Sequence, residues 1–231
     1  MSIITPDDLG AVALSLRVAS VATLVDLPVA FACALALARG RFLGRNLLDA
    51  LVHLPLVLPP VATGYALLVV FGRLGIVGRW LAPLHIVFSF HWTGAALAAG
   101  IMALPLMVRP IRLSIEAIDR EVEESARILG ASSWVRLVRV TLPLAGPGLA
   151  AGALLGFAKA LGEFGATITF VGAIPGETLT LPSAIYASTQ SPGAEPHALA
   201  LCGIAAALAV GAVLLSDRLA RAAARWAGRP A

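Results

Sequence analysis

The chain has 231 residues, of which 59 % are apolar and only 13 % charged, and its mean hydropathy is +0.90. A soluble domain carries about 25 % charged residues to keep its surface wet, so this composition excludes a water-soluble globule and requires a lipid-facing surface. The 17 basic residues outnumber the 13 acidic ones, but they flank apolar runs instead of forming one patch, which a membrane explains better than nucleic acid, so no nucleic-acid partner is expected.

A membrane-spanning helix needs about 20 mostly apolar residues. Five runs qualify: Ala11–Ala38, Leu48–Phe71, Ile86–Val108, Leu144–Phe170 and Ala198–Ala220. The expected fold is therefore all-α and polytopic, with about five transmembrane helices in a single domain over residues 1–231. The first ten residues hold Asp7 and Asp8 and no basic residue. The apolar run that follows is too long for a secretory signal, so no cleaved signal is expected. Run one exceeds a ~30 Å hydrocarbon core and must tilt or project from it. Arg17, near its outer end, is expected to snorkel outward. Asp26, midway, is too far from Arg17 to pair with it and needs a partner elsewhere.

In run two, Pro55, Pro59 and Pro60 with Gly64 break the backbone hydrogen-bond ladder. Unpaired carbonyls are costly in lipid, so this stretch should face the protein interior. It either lines a solute path or forms a packing kink.

Between runs three and four lies the longest non-spanning segment, Pro110 to Pro143. Its charges balance, unlike a segment meant for anionic lipid. Ile115, Ile118, Val122, Ala126 and Leu129 recur at helical spacing, with Glu116/Arg120 and Glu123/Arg127 as i,i+4 pairs. Gly130 suits a helix-ending C′ position. Ser132 or Ser133 can cap a second helix, Trp134 to Thr141, which Pro143 should stop. The expectation is a bent helix–Gly turn–helix element.

Run four carries Gly148, Gly152 and Gly156 on one face, a pattern for close helix contact. Lys159 and Glu163, four apart, can pair and lower the cost of their burial. They either brace a translocation path or form an ion pair packed between helices. Residues Val171–Glu195, with three prolines, read as an external loop with a short helix and not as a sixth span. Cys33 and Cys202 sit inside apolar runs as small hydrophobes. The four histidines are scattered, so no metal site is expected.

Thirteen of the sixteen arginines fall on one side of this topology, in the loops after runs one and three and after run five (Arg218, Arg221, Arg225 and Arg229). Arg73 and Arg79 fall on the other. The positive-inside rule then places the N-terminus outside and the C-terminus in the cytoplasm.

Glu124-Ser125-Ala126, three residues, Gly130, nine residues, then Val140-Thr141-Leu142-Pro143 resembles the E-A-A–x3–G–x9–I–x–L-P signature of ABC importer permeases, with Ser125 for Ala and Val140 for Ile. The run His53 to Pro60, the run Phe157 to Phe170 with Gly162-Glu163-Phe164-Gly165-Ala166-Thr167 at its centre, and Ile174 to Thr178 resemble the oxyanion branch of that family. Its members carry molybdate, sulfate or tungstate. The resemblance implies that Glu123, Glu124, Ser125, Ala126, Gly130, Ala131, Leu142 and Pro143 belong to a coupling element that docks on an ATP-binding subunit. It further implies an extracytoplasmic oxyanion-binding protein as partner and a bacterial inner-membrane location. Pro59, Pro60, Gly64, Lys159, Gly162, Glu163, Gly165 and Thr167 are the residues expected to line or brace the path.

No catalytic residues are expected. A Walker A loop needs Gly-Lys-Ser/Thr, and Lys159, the one lysine, lies between Ala158 and Ala160. No Ser-His-Asp ordering is evident. ATP and magnesium would therefore be bound by the partner subunit and not by this chain. Five spans are too few to enclose a solute path, so a two-fold dimer is expected. The competing readings are a self-sufficient secondary carrier, whose inverted repeat is not evident, and a polytopic membrane enzyme.

Overall fold

The computed structural model describes residues 4–226, and side chains through 212 and at 214; the side chains of Arg218, Arg221 and Arg225, and the whole of Arg229, lie outside the described residues. Helix α1, Pro6–Arg39, starts at a capping box. Thr5 accepts the Asp8 N–H, the Asp8 carboxylate takes the Thr5 N–H, and Pro6 occupies the first turn. At 1.5 Å per residue its 34 residues extend about 51 Å. Both of its ends are tied to other elements: Asp8 to His197, and Arg39 to Glu123 and the Ile118 carbonyl.

Run two is two helices. α2, Arg45–Val57, and α3, Pro60–Phe71, meet at 115° across Leu58 and Pro59. Pro59 and Pro60 cannot donate to the ladder, and the chain turns where it is broken. A one-turn helix, α4 (Gly78–Leu81), and a 3₁₀ turn follow.

The central helix is α5, Trp92–Glu116, which packs on both α1 and the later helix over Gly146–Leu161. It starts six residues later and ends eight residues later than the expected Ile86–Val108. Phe90 adopts φ 57° just before it, which delays the helix start, and Pro105 and Pro110 are both accommodated inside it. The expected 110–143 segment therefore loses its first turns to the membrane helix.

The bent element comprises α6 (Arg120–Ile128), α7 (Ser133–Arg136), a π-helical turn over Leu137–Thr141 and α8 (Leu142–Leu144). α9, Gly146–Leu161, leaves it at 67°. Pro143 does not stop the second helix. The wider π turn just before it absorbs the missing N–H, and the chain bends at Ala145 instead. The apolar stripe expected along one helix is divided: Ile115 is buried at the end of α5, Ile118 lies in the following turn, and Leu129 is exposed. Nor do the expected pairs form. Glu116 pairs with Arg112 at 2.8 Å, and Glu123 pairs with Arg39 at 3.4 Å.

Run four ends early and resumes as α10, Gly165–Val171. α11, Leu181–Thr189, is the short helix expected between runs four and five. It lies against α1 and α12 (Glu195–Trp226), with the Leu181 N–H donating to Ser15 Oγ at 2.7 Å. Three helices, α1, α5 and α12, are long and apolar enough to cross a membrane unbroken, and up to five spans result if each bent pair is one.

The core is built from small residues. Ala95, Ala98, Ala99 and Ala103 of α5 are buried against Ala19 and Ala22 of α1, with Phe170 filling the gap. A second cluster joins Leu37, Met107, Ile111 and Ile115. On α9, a Cβ at Gly148 would lie 2.4 Å from Ser114 Cβ, one at Gly152 2.9 Å from the Met107 carbonyl, and one at Gly156 2.5 Å from Met107 Sδ. The glycine face thus sets the α5–α9 distance, which is how helices associate when lipid supplies no hydrophobic drive.

Candidate functional site

Two features collect the expected site residues. The first is the crossing of the two broken helices. α3 and α10 pack so tightly that a Cβ on Gly64 would lie 2.4 Å from the Ala166 carbonyl oxygen, and one on Gly165 would lie 2.7 Å from Pro60 Cβ. The break at Gly162–Phe164 leaves the first N–H groups of α10 without helical partners. Glu163, 3 % exposed, accepts the Ala166 N–H at 3.0 Å through one carboxylate oxygen and pairs with Lys159 through the other. A buried carboxylate without such partners would be costly. Lys159 is thereby committed within the protein. Thr167 is buried and donates to the Phe164 carbonyl at 2.8 Å. Pro59, Pro60 and Gly162 are exposed.

The second feature is the bent element. Asp119 caps α6. At its end Gly130 has φ 83° and donates to the Arg127 carbonyl at 3.0 Å, while Ala131 donates to the Ala126 carbonyl at 3.0 Å. This is the double bond of a Schellman motif, which explains why Ala126, Gly130 and Ala131 sit at fixed spacing. Ser132 then caps α7 by accepting the Val135 N–H, and Arg136 ties the turn by donating to the Ala131 carbonyl at 3.1 Å. The turn presents Ile128, Leu129 and Trp134, which are 83 %, 87 % and 71 % exposed. Glu124, Ser125, Leu142 and Pro143 are also exposed, and Ala126 and Ala131 are half-buried. Glu123 is turned back toward the bundle.

Ile128 and Trp134 are absent from the signature-based set. Their signal was local: large apolar residues flanking a helix-ending glycine, outside the lengths of the membrane runs. Beside the turn, Arg39, Arg41, Arg120, Arg127 and Arg136 line a cleft of about 240 Å³ with Glu123 and Glu124.

Three further placements correct the sequence reading. Arg17 does not snorkel freely but stacks over the Trp92 ring, 3.7 Å from its centroid. Asp26 finds no partner for its buried Oδ2; the carboxylate is pressed against Gly100, where a Cβ would lie 2.7 Å from that oxygen. Finally, Ser188, His197 and Asp8 do come together. His197 Nδ1 is 3.1 Å from Ser188 Oγ, and its Nε2 is 2.9 Å from Asp8 Oδ2. Chain order could not reveal contacts spanning 189 positions. Ser188 is buried and donates to the Ala184 carbonyl at 2.9 Å, so its hydroxyl is held as a tie between α1, α11 and α12 and is not presented to a substrate.

This architecture is that of solved ABC importers. A bacterial alginate ABC transporter, solved in complex with an alginate pentasaccharide-bound periplasmic protein, superimposes with a TM-score of 0.77 at 19 % identity, covering 98 % of this chain and 82 % of that one. In sequence, the molybdenum transport system permease protein ModB of Escherichia coli (strain K12) is 51 % identical over 98 % of this chain and its own full length. That of Haemophilus influenzae is 49 % identical over 93 % of this chain and 94 % of its own. The family model described as binding-protein-dependent transport system inner membrane component matches residues 27–227. With that match and these helices, the chain belongs to the family of inner membrane permease components of binding-protein-dependent transport systems.

Proposed function

We propose that this chain is the membrane-spanning permease subunit of an ATP-driven importer that carries molybdate, or a closely similar tetrahedral oxyanion, into the cytoplasm. The observation that supports the coupling half of this reading most is the Gly130 turn. A rigid, Schellman-closed corner holds three large apolar side chains in the open. Exposed apolar groups of this size on a well-formed turn fit a partner's cleft. The occupant is a separate ATP-binding subunit, because no phosphate-cradling loop accompanies Lys159. That subunit holds ATP and magnesium and hydrolyses the nucleotide.

Two copies of the chain form the path, and two ATP-binding subunits dock beneath them. An extracytoplasmic oxyanion-binding protein delivers the cargo. The N-terminus lies outside the bacterial inner membrane, and the Gly130 turn lies in the cytoplasm. Glu124, Ser125, Ala126, Gly130, Ala131, Leu142 and Pro143 form or shape the docking element with Ile128, Leu129 and Trp134. Pro59, Pro60, Gly64, Gly162, Glu163, Gly165 and Thr167 shape the crossing that borders the path, with Lys159 neutralising Glu163. A fixed lysine would bind a dianion too firmly for transport, so Lys159 braces the crossing and does not hold cargo.

The test is uptake into proteoliposomes containing the chain, its ATPase and the binding protein. ATP-dependent accumulation of molybdate, competed by tungstate and weakly by sulfate, is the expected result. Accumulation that needs no ATPase would favour a self-sufficient carrier. Accumulation of sulfate in preference to molybdate would assign the chain to the sulfate branch.

A further inference from the structure

Helix α6 buries none of its residues. Apolar packing therefore does not fix it to the bundle, and its position depends on the chain ends and on polar ties. Among the described residues, Glu123 is the α6 side chain that makes a hydrogen bond or ion pair to other helices. One oxygen, Oε1, is 3.4 Å from Arg39 Nη2 at the end of α1 and accepts from Thr141 Oγ1 at 3.2 Å. Arg39 Nη2 also donates to the Ile118 carbonyl at 3.0 Å, in the turn that leads into α6.

Both partners are well placed to receive force. Arg39 terminates α1, and Thr141 is 4 % exposed at the end of the π turn where run four begins. π turns inside helices are rare and frequently sit at functional sites. The side chains of Arg39 and Glu123 are only 19 % and 23 % exposed, so their attraction is screened less than that of a surface pair.

From this geometry we infer that Glu123 is a positioning residue, the clasp through which displacement of the docking turn reaches α1 and the π turn at once. The inference rests on the importer reading and refines it. Glu124 faces outward with the docking element, whereas its neighbour Glu123 faces inward and carries the motion onward. Coupling of this kind requires a defined element that both ends bias, and a single carboxylate oxygen shared by two helices provides one.

The experiment uses the assembled complex in proteoliposomes and reads subunit assembly, ATP hydrolysis and molybdate uptake together. In Glu123→Ala the ATPase remains bound and continues to turn over, while uptake per ATP falls at least tenfold. Thr141→Val, which keeps the ion pair, loses about three- to fivefold. Arg39→Glu and Glu123→Arg each uncouple alone with the ATPase still bound and active, which a merely structural role would not produce, and together they recover uptake to within about threefold of wild type. Three results would overturn the clasp: Glu123→Ala uptake within twofold of wild type, release of the ATPase by that variant, or a charge-swapped pair no better than its single changes. A wild-type complex that imports nothing under ATP would instead overturn the importer reading itself.

Discussion

Replacing Gly130 with valine is expected to reduce ATP-driven uptake at least tenfold while the protein still inserts and accumulates in the membrane. The reason is conformational and not steric. A Cβ at Gly130 would meet nothing within 4 Å, yet the residue holds φ 83°. An L side chain in that region costs roughly 1–2 kcal/mol, and a β-branched one more. The chain escapes the strain by opening the turn, which breaks the Gly130–Arg127 and Ala131–Ala126 bonds together and changes the angle between α6 and α7. Asparagine tolerates the left-handed region, so Gly130→Asn should keep more than half of wild-type uptake. Equal loss in both variants would show that the missing side chain matters and the backbone angle does not. Uptake and membrane content measured side by side decide the point.

The second large effect is expected at Gly64. One methyl group there would lie 2.4 Å from the Ala166 carbonyl oxygen and 2.9 Å from Ala166 Cα, and backbone cannot swing aside as a side chain can. α3 and α10 must separate, at about 1–3 kcal/mol for overpacking of this kind, and the Glu163-braced break moves with them. Gly64→Ala should therefore lower uptake about tenfold and lower the thermal midpoint of the solubilised protein. Gly10→Ala is the control, because nothing lies within 4 Å of its Cβ position and alanine favours a helix by roughly 0.5–1 kcal/mol. Gly64→Ala with wild-type uptake and midpoint would mean that the crossing is not a close-packed joint.

These two glycines also mark what could and could not be read from sequence. Gly130 was legible because its cue is local: an amphipathic stretch, a glycine and a capping serine follow one another between Ile115 and Ser132. The apolar runs were legible for the same reason, since hydropathy is a property of a continuous segment. Gly64 was legible only as a break, because its counterpart, Ala166, lies about a hundred residues away and nothing local names it. The Arg39–Glu123 and Ser188–His197–Asp8 contacts were hidden for that reason too. Helical spacing even misdirected the reading of Glu123, by offering Arg127 four residues on when the partner is Arg39 on another helix. Pro110 and Pro143 were read as boundaries because proline lacks a donor, yet α5 runs through the first and a π turn accommodates the second.

The central claim is that the Gly130 turn lies in a cleft of a nucleotide-hydrolysing partner. Cysteine placed at Trp134 or Leu129, in a chain whose Cys33 and Cys202 are replaced by serine, tests it most directly through site-directed cross-linking in the assembled complex. The account predicts efficient cross-links to the ATP-binding subunit from both positions, weakened or redistributed when nucleotide is added, and none from a cysteine at Leu74 on the opposite end. Free labelling of both turn positions by a water-soluble maleimide in a transport-competent complex, with no cross-link to that subunit, would contradict it.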